Sequence, residues 1–483
     1  MSNIPSRSPS GVRLDGDDYQ HLTTWNEVML ALRPWSEAET ITVEALGVGN
    51  LDDIVVTYRS QPTAHTQVKH TVDASTPVDT QWMTQPAGKH SLLERFYKSW
   101  KQLTQNGVGP HMQLLTDREI DSTDALMRGL DRKSELLVPL AGATTTATAT
   151  ARSVWSAHLD IDDDELLEFL GDLRFRTGRS YAAEHQRAQS LMYGNGFATG
   201  DGSIELGISV VRHWVQRRER TLTTHELWEL TEQHVGLRQD PGAVLIIEGV
   251  DTDLHPEDAD ELVNFVERYA EDDPDLRRDL SPDDWNDIDA DLAAAAGRLR
   301  AAGHKRVVVR GAMRLPTWFS AGARLRATHG FSLAAMQHGD LWSSSDAAPA
   351  TGLCATKPHE INAGSDLAVG VGVAMDPTVG VVKYVESAGL PVARTFIITP
   401  STGVSAEALS GSRAAATMAV AVRDAVRAVL EDNPDSEHIH LFLAVPGALA
   451  ALLGHRWNAL RPTTVYEHRG VGKGYAPAFT LNA

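Results

Sequence analysis

Leu51 to His70 reads LDDIVVTYRSQPTAHTQVKH. Asp53–Tyr58 and Ala64–His70 are β-type runs, and Arg59-Ser60-Gln61-Pro62-Thr63 between them is a hairpin-length turn. Alternation puts Gln67 and Lys69 on one face of their strand and Val68 on the other. The hairpin brings Asp53 beside that pair. A carboxylate able to hold Mg2+, an oxygen ligand two residues before a lysine, and the lysine itself suit the hydrolysis of a phosphodiester. That reaction needs a metal to activate water and to neutralise charge on the phosphorane. It also needs a cation near the nucleophile or the non-bridging oxygens, which Lys69 supplies. Glu44, at the end of the preceding strand, and Asp52 are further candidate metal ligands. Burying Asp53, Gln67 and Lys69 without a function would be costly.

The neighbouring segments extend this hairpin into an α/β domain. Residues 1–17 are polar and read as a flexible arm. From Asp18 to Leu32 the apolar residues Tyr19, Leu22, Trp25, Val28, Met29 and Leu32 recur at intervals of three and four, which predicts an amphipathic helix carrying Gln20. A strand at Ile41–Leu46 precedes the hairpin; a helix at Ser91–Gln105 and a strand at His111–Thr116 follow it. The order predicts one mixed sheet. The Ala/Thr-rich stretch Ala141–Ala151 reads as a loop or a buried small-residue segment. Residues 160–235 read as a mostly helical lobe, including Asp163–Leu173 and Thr224–His234. Gln239-Asp240-Pro241-Gly242 is a turn cluster at the boundary between residues 1–235 and 236–483.

Beyond that boundary, strands and helices alternate. Ala243–Ile247, Lys305–Arg310 and Phe331–Gln337 read as strands, with a long acidic helical stretch and the helix Leu315–Ala327 among them. After a loop come strands at Asp366–Ala374, Arg394–Thr399 and His438–Val445, and helices at Pro377–Ala388, Ser412–Leu430 and Gly447–Arg456. Apolar, β-branched strands alternating with helices predict two Rossmann-like parallel sheets, near 240–345 and 364–483. Gly370-Val371-Gly372 reads as close packing in a central strand. His438 and His440 read as structural.

Composition narrows the class. Hydrophobic residues make up 42% of the 483 residues and charged residues 22%, an ordinary globular balance. The net charge of −20 argues against a surface coated in basic patches. Asp251–Asp291 holds 17 acidic and 3 basic residues and reads as a solvated helical face. Residues 292–483 carry a net +5. Cys354 is the single cysteine, so no intrachain disulfide and no cysteine-based zinc cage can form. No signal peptide and no membrane-spanning run is present, which predicts a cytoplasmic protein.

The run GDDYQ…LDDIVV…TQVKH resembles the PD-(D/E)xK restriction-endonuclease fold, in its branch with Gln in place of Glu. The resemblance implies that Asp53 binds metal (Mg2+ or Mn2+), that Gln67 stands at the Glu or Gln position, and that Lys69 is the catalytic lysine. Gln20 falls where related enzymes carry a helix Glu or Gln. A neutral Gln67 binds metal less strongly than a carboxylate would. Residues 240–483 resemble the SAVED domain, a cyclic-oligonucleotide sensor built from two CARF-like Rossmann halves. The matching stretches are Gln337–Ser344, Asp366–Ala374, His440–Pro446, Val465-Tyr466-Glu467 and Tyr475-Ala476-Pro477.

Ligands of open α/β sheets sit beyond the carboxyl ends of the strands. Those ends carry Gln337, Trp342, Ser344, Thr399, Pro400, Ser401 and Pro446. Lys473 would meet phosphates, and Trp342 or Tyr475 would stack on a base. Together the resemblances imply an anti-phage effector of the CBASS type. A cyclic tri- or tetranucleotide from a partner nucleotidyltransferase would drive homo-oligomerisation and cleavage of double-stranded DNA. A sensor or scaffold that binds DNA without cutting, and an RNA nuclease answering CRISPR-derived oligoadenylates, are the alternatives.

Overall fold

In a computed structural model, residues 9–71, 76–105, 109–137, 146–217, 220–236, 239–270, 278–349, 352–405, 407–470 and 472–482 are described. The chain divides into two compact units, Met1–Arg238 and Gln239–Ala483.

The N-terminal unit is built on one six-stranded mixed sheet. Its order is Thr221–Thr223, Ala38–Val43, Ile54–Tyr58, Ala64–Lys69, His111–Thr116 and Leu173–Arg176. Pairing is antiparallel among the first four strands and parallel from Ala64–Lys69 through the last two. Both edge strands come from the segment expected to form a helical lobe. That segment therefore completes the sheet, and only its helices match the expectation. Tyr181–Gly194 and Asp201–Val215 pack with the first helix around Trp25, Leu191 and Ile208. Gly207 lets two of these helices meet, because a Cβ there would lie 2.2 Å from the Trp25 ring.

The first helix runs Pro9–Ala31. The expected arm is thus helical from Pro9, a residue suited to a helix's first turn; residues 1–8 lie outside the described residues. The Ala/Thr-rich stretch is helical over Thr146–Leu159, and 141–145 lie outside the described residues. Leu92–Thr104 opens with a capping box formed by Ser91 and Glu94.

The C-terminal unit holds two sheets. The first runs Glu261–Asn264, Ala243–Glu248, Arg306–Arg310, Ser332–Gln337 and Asp340–Ser343; only the last strand is antiparallel. The second runs Cys354–Glu360, Val392–Pro400, Asp366–Gly372, Ile439–Ala444, Thr463–His468 and Tyr475–Leu481, parallel except at its two edges. The acidic stretch is not one helical face. It includes the strand Glu261–Asn264, a short helix Val266–Tyr269 and the start of the helix Pro282–Ala301, while 271–277 lie outside the described residues.

One apolar core spans both sheets, from Ala243 to Leu481. The helices Leu315–Arg324 and Gly447–Arg456 cross at its centre. A Cβ at Gly322 would lie 1.9 Å from the Ala451 carbonyl oxygen, and one at Gly454 2.0 Å from that of Phe319. Among the described residues, no helix is long and apolar enough to cross a membrane.

Candidate functional site

The antiparallel pairing of Ile54 with Thr66 sets Asp53 against the end of the strand Ala64–Lys69. One Asp53 carboxylate oxygen, Oδ2, accepts the Val68 backbone N–H at 2.7 Å and an N–H of the Gln67 carboxamide. Burial pushes the Asp53 carboxyl up to about 6, despite the Val68 hydrogen bond and the nearby Lys69 charge. Burial also lowers the Lys69 ammonium; Asp53 opposes that shift and Arg95 adds to it. Asp53, Gln67 and Lys69 are thus brought together, with Asp52 adding negative charge.

Gln20 lies on the first helix, where its backbone carbonyl accepts the Thr23 and Thr24 hydroxyls. Among the described residues no hydrogen bond joins its side chain to Asp53, Gln67 or Lys69. Its neighbour Tyr19 reaches the site's border, stacking on His70 at 4.9 Å between ring centres. His70 Nδ1 lies 2.8 Å from Asp117 Oδ2. Glu44 does not turn to Asp53. Arg220 binds it instead, 2.8 Å to the Glu44 carbonyl oxygen and 3.4 Å to the carboxylate. Among the described residues, no three His, Cys, Asp or Glu side chains form a metal-binding group.

Pattern reading missed the buried ion pairs of the N-terminal unit. Glu135 pairs with Arg176 at 3.1 Å and Arg179 at 2.7 Å, and Glu27 with Arg187 at 3.0 Å. The Arg176 and Arg187 side chains are almost fully buried, where charges persist only when paired. Apart from Glu184, three residues before Arg187 on the same helix, their carboxylate partners come from distant segments that no local spacing reveals.

In the C-terminal unit several of the expected ligand residues are engaged in packing or backbone contacts of their own. Gln337 Oε1 accepts the Ala448 N–H at 3.0 Å, satisfying the start of the helix Gly447–Arg456. Trp342 is buried in the shared core. Ser344 Oγ accepts the Leu333 N–H at 3.0 Å. Tyr475 packs with Tyr384, Phe442 and His468 in a separate aromatic cluster. Neither ring stands free to stack on a base. Pro400 is buried at the end of its strand beside half-buried Thr399, Pro446 precedes a helix, and Lys473 is exposed in a turn. His440 hydrogen-bonds the Tyr466 hydroxyl at 2.8 Å, consistent with a structural role.

Other residues do meet at the strand ends. Arg314, just before the helix Leu315–Arg324, ion-pairs with Glu467 from the second sheet. Its guanidinium also lies 4.5 Å from the centre of the Tyr269 ring. Burial raises the Glu467 carboxyl, and Arg314 opposes that shift. Arg469 pairs with Asp279 close by.

No curated protein matches the chain. Among solved structures it is similar to the Acinetobacter baumannii Cap4 SAVED/CARF-domain containing receptor with the cyclic trinucleotide 2'3'3'-cAAA. Identity is 15%, the TM-score is 0.43, and 100% of each chain is covered. It is also similar to the Moraxella osloensis Cap4 SAVED/CARF-domain containing receptor, at 14% identity and a TM-score of 0.40 over 97% of this chain and 99% of that chain. Residues 291–481 match the model of the SAVED family, the SMODS-associated and fused to various effectors sensor domain.

Proposed function

We propose that this chain is a messenger-gated nuclease, in which the C-terminal unit senses a cyclic oligonucleotide and the N-terminal unit hydrolyses phosphodiester bonds in double-stranded DNA. The observation that carries the nuclease reading is the meeting of Asp53, Gln67 and Lys69 at one end of the mixed sheet, in the manner of a PD-(D/E)xK enzyme. The sensor reading rests on the SAVED match over residues 291–481. A CBASS setting, with a partner nucleotidyltransferase and ligand-driven self-association, follows from that reading.

The residues present fit a divalent cation. Asp53 is a buried carboxylate whose burial disfavours its charge, so a bound cation would compensate it. Asp53 and the Gln67 carboxamide oxygen would hold Mg2+ or Mn2+; a half-turn of the carboxamide would exchange the N–H now facing Asp53 for that oxygen. The metal would supply water activation and charge neutralisation. Lys69, partly stripped of water, would offer its ammonium to a non-bridging phosphate oxygen, where low local dielectric strengthens the attraction.

The test is incubation of purified protein with plasmid DNA and Mg2+, with and without cyclic di-, tri- and tetranucleotides. Cutting with one ligand class, lost in Lys69→Ala, is the expected result. Full ligand-dependent cutting by Lys69→Ala would overturn the site assignment. The neutral Gln67 keeps one second reading open, a sensor or scaffold that binds DNA; ligand and DNA binding without products, unaffected by Mg2+, would establish it. Products from RNA alone would instead mark an RNA nuclease.

A further inference from the structure

A groove of about 770 Å³ lies beside the hairpin, between the residues after the strand Ala38–Val43 and those leading into the edge strand Thr221–Thr223. Thr42, Glu44, Leu46, Arg217, Arg220 and Thr221 line it. Arg217 is exposed and, among the described residues, forms no ion pair. Among the described residues the Arg220 side chain is held by Glu44, in a half-exposed and therefore weak ion pair. Leu46 is 89% exposed at the rim.

Register ties this groove to the candidate site. The Val43 N–H bonds the Arg220 carbonyl, Val43 pairs with Ile54, and the Glu44 N–H bonds the Asp53 carbonyl. Arg220, Glu44 and Asp53 therefore lie on three adjacent strands at one end of the sheet. Two interstrand spacings of roughly 4.8 Å put the arginine strand about 10 Å from that of Asp53. One strand of duplex DNA advances roughly 3.4 Å along the axis per nucleotide, so that gap corresponds to about three nucleotides.

We propose that this groove grips the phosphate backbone of duplex DNA within about three nucleotides of the bond held at Asp53. Arg217 and Arg220 are the phosphate ligands, and Glu44 is a resting counterion to Arg220 that phosphate displaces. Guanidinium groups suit this role because they fork onto two phosphate oxygens. The charge argument is local: the chain carries −20 overall, so a DNA track needs arginines set where the strand passes. The inference rests on the nuclease reading and adds the surface that positions the substrate.

The test is anisotropy of a fluorescent DNA duplex with the full-length protein in EDTA, from 50 to 300 mM salt, with and without a cyclic trinucleotide. Arg217→Ser and Arg220→Ser are each expected to weaken binding several-fold and to reduce the salt slope by about one. Glu44→Gln is expected to tighten binding, opposite to the loss expected of a metal ligand. Arg217→Ser, at an exposed unpaired position, keeps the test valid if Arg220→Ser misfolds. Wild-type binding with unchanged affinity and slope in Arg217→Ser overturns the groove and leaves the nuclease reading standing. Failure of the wild type to bind any duplex removes both. Preferential binding of duplex RNA overturns the commitment to DNA.

Discussion

Asp53 carries a stability cost beside the metal-binding role proposed for it. Its carboxyl titrates near 6 in the folded chain against an ordinary 3.8, because burial disfavours the charge. Between those values the native state binds a proton that the unfolded state does not. Stability therefore falls as pH rises through this window and levels off above about 6. Asp53→Asn removes the ionised group and is expected to stabilise the protein by roughly 2–3 kcal/mol at pH 7.5, with no gain below about pH 4. Urea unfolding at both pH values checks this; equal gains at the two would show that burial of the charge is not the cause. Mg2+ binding to the ligand-free protein should weaken as pH drops through about 6, because protonation of Asp53 competes with the cation; an affinity unchanged down to pH 5 would remove Asp53 as the ionised ligand. The Asp53, Gln67 and Lys69 set was legible because a short hairpin makes sequence neighbours spatial neighbours. The burial of Trp342 and Tyr475 was not legible because it depends on partners that no spacing encodes. The Arg220 pairing of Glu44 was not legible for the same reason, since Arg220 lies far along the chain.

At the scale of elements, the central parallel strands were plain where burial on both faces gives a continuous apolar run, as in Ala243–Glu248; the parallel strand Thr463–His468, with its polar residues, was not. Edge strands escaped detection. Cys354–Glu360 is largely polar and contains Pro358, which an edge tolerates. Glu261–Asn264 lies inside an acidic stretch, and Thr221–Thr223 has only three residues. The helices Leu315–Arg324 and Gly447–Arg456 join the two sheets through glycines that touch opposing carbonyls. Gly322→Ala is expected to destabilise the C-terminal unit by about 1–3 kcal/mol, because a methyl group there meets backbone rather than a mobile side chain. A melting temperature equal to that of the wild type would mean the two helices do not approach so closely.

For the whole molecule, the N-terminal and C-terminal units have separate apolar cores. Calorimetry is expected to resolve two transitions. A saturating cyclic oligonucleotide should raise one of them, by about 2.7 kcal/mol of added stability at a hundred times its dissociation constant. Equal movement of both would show that the cores unfold together. The mixed sheet carries a further consequence for synthesis. Its outer strand, Thr221–Thr223, is the last part of that sheet to be made, shortly ahead of Gln239. Chains grow from the N-terminus, and pairing cannot begin before both strands have emerged. A ribosome stalled upstream of Arg220 therefore leaves a fragment with Asp53 and Lys69 in place but neither its closing strand nor that arginine.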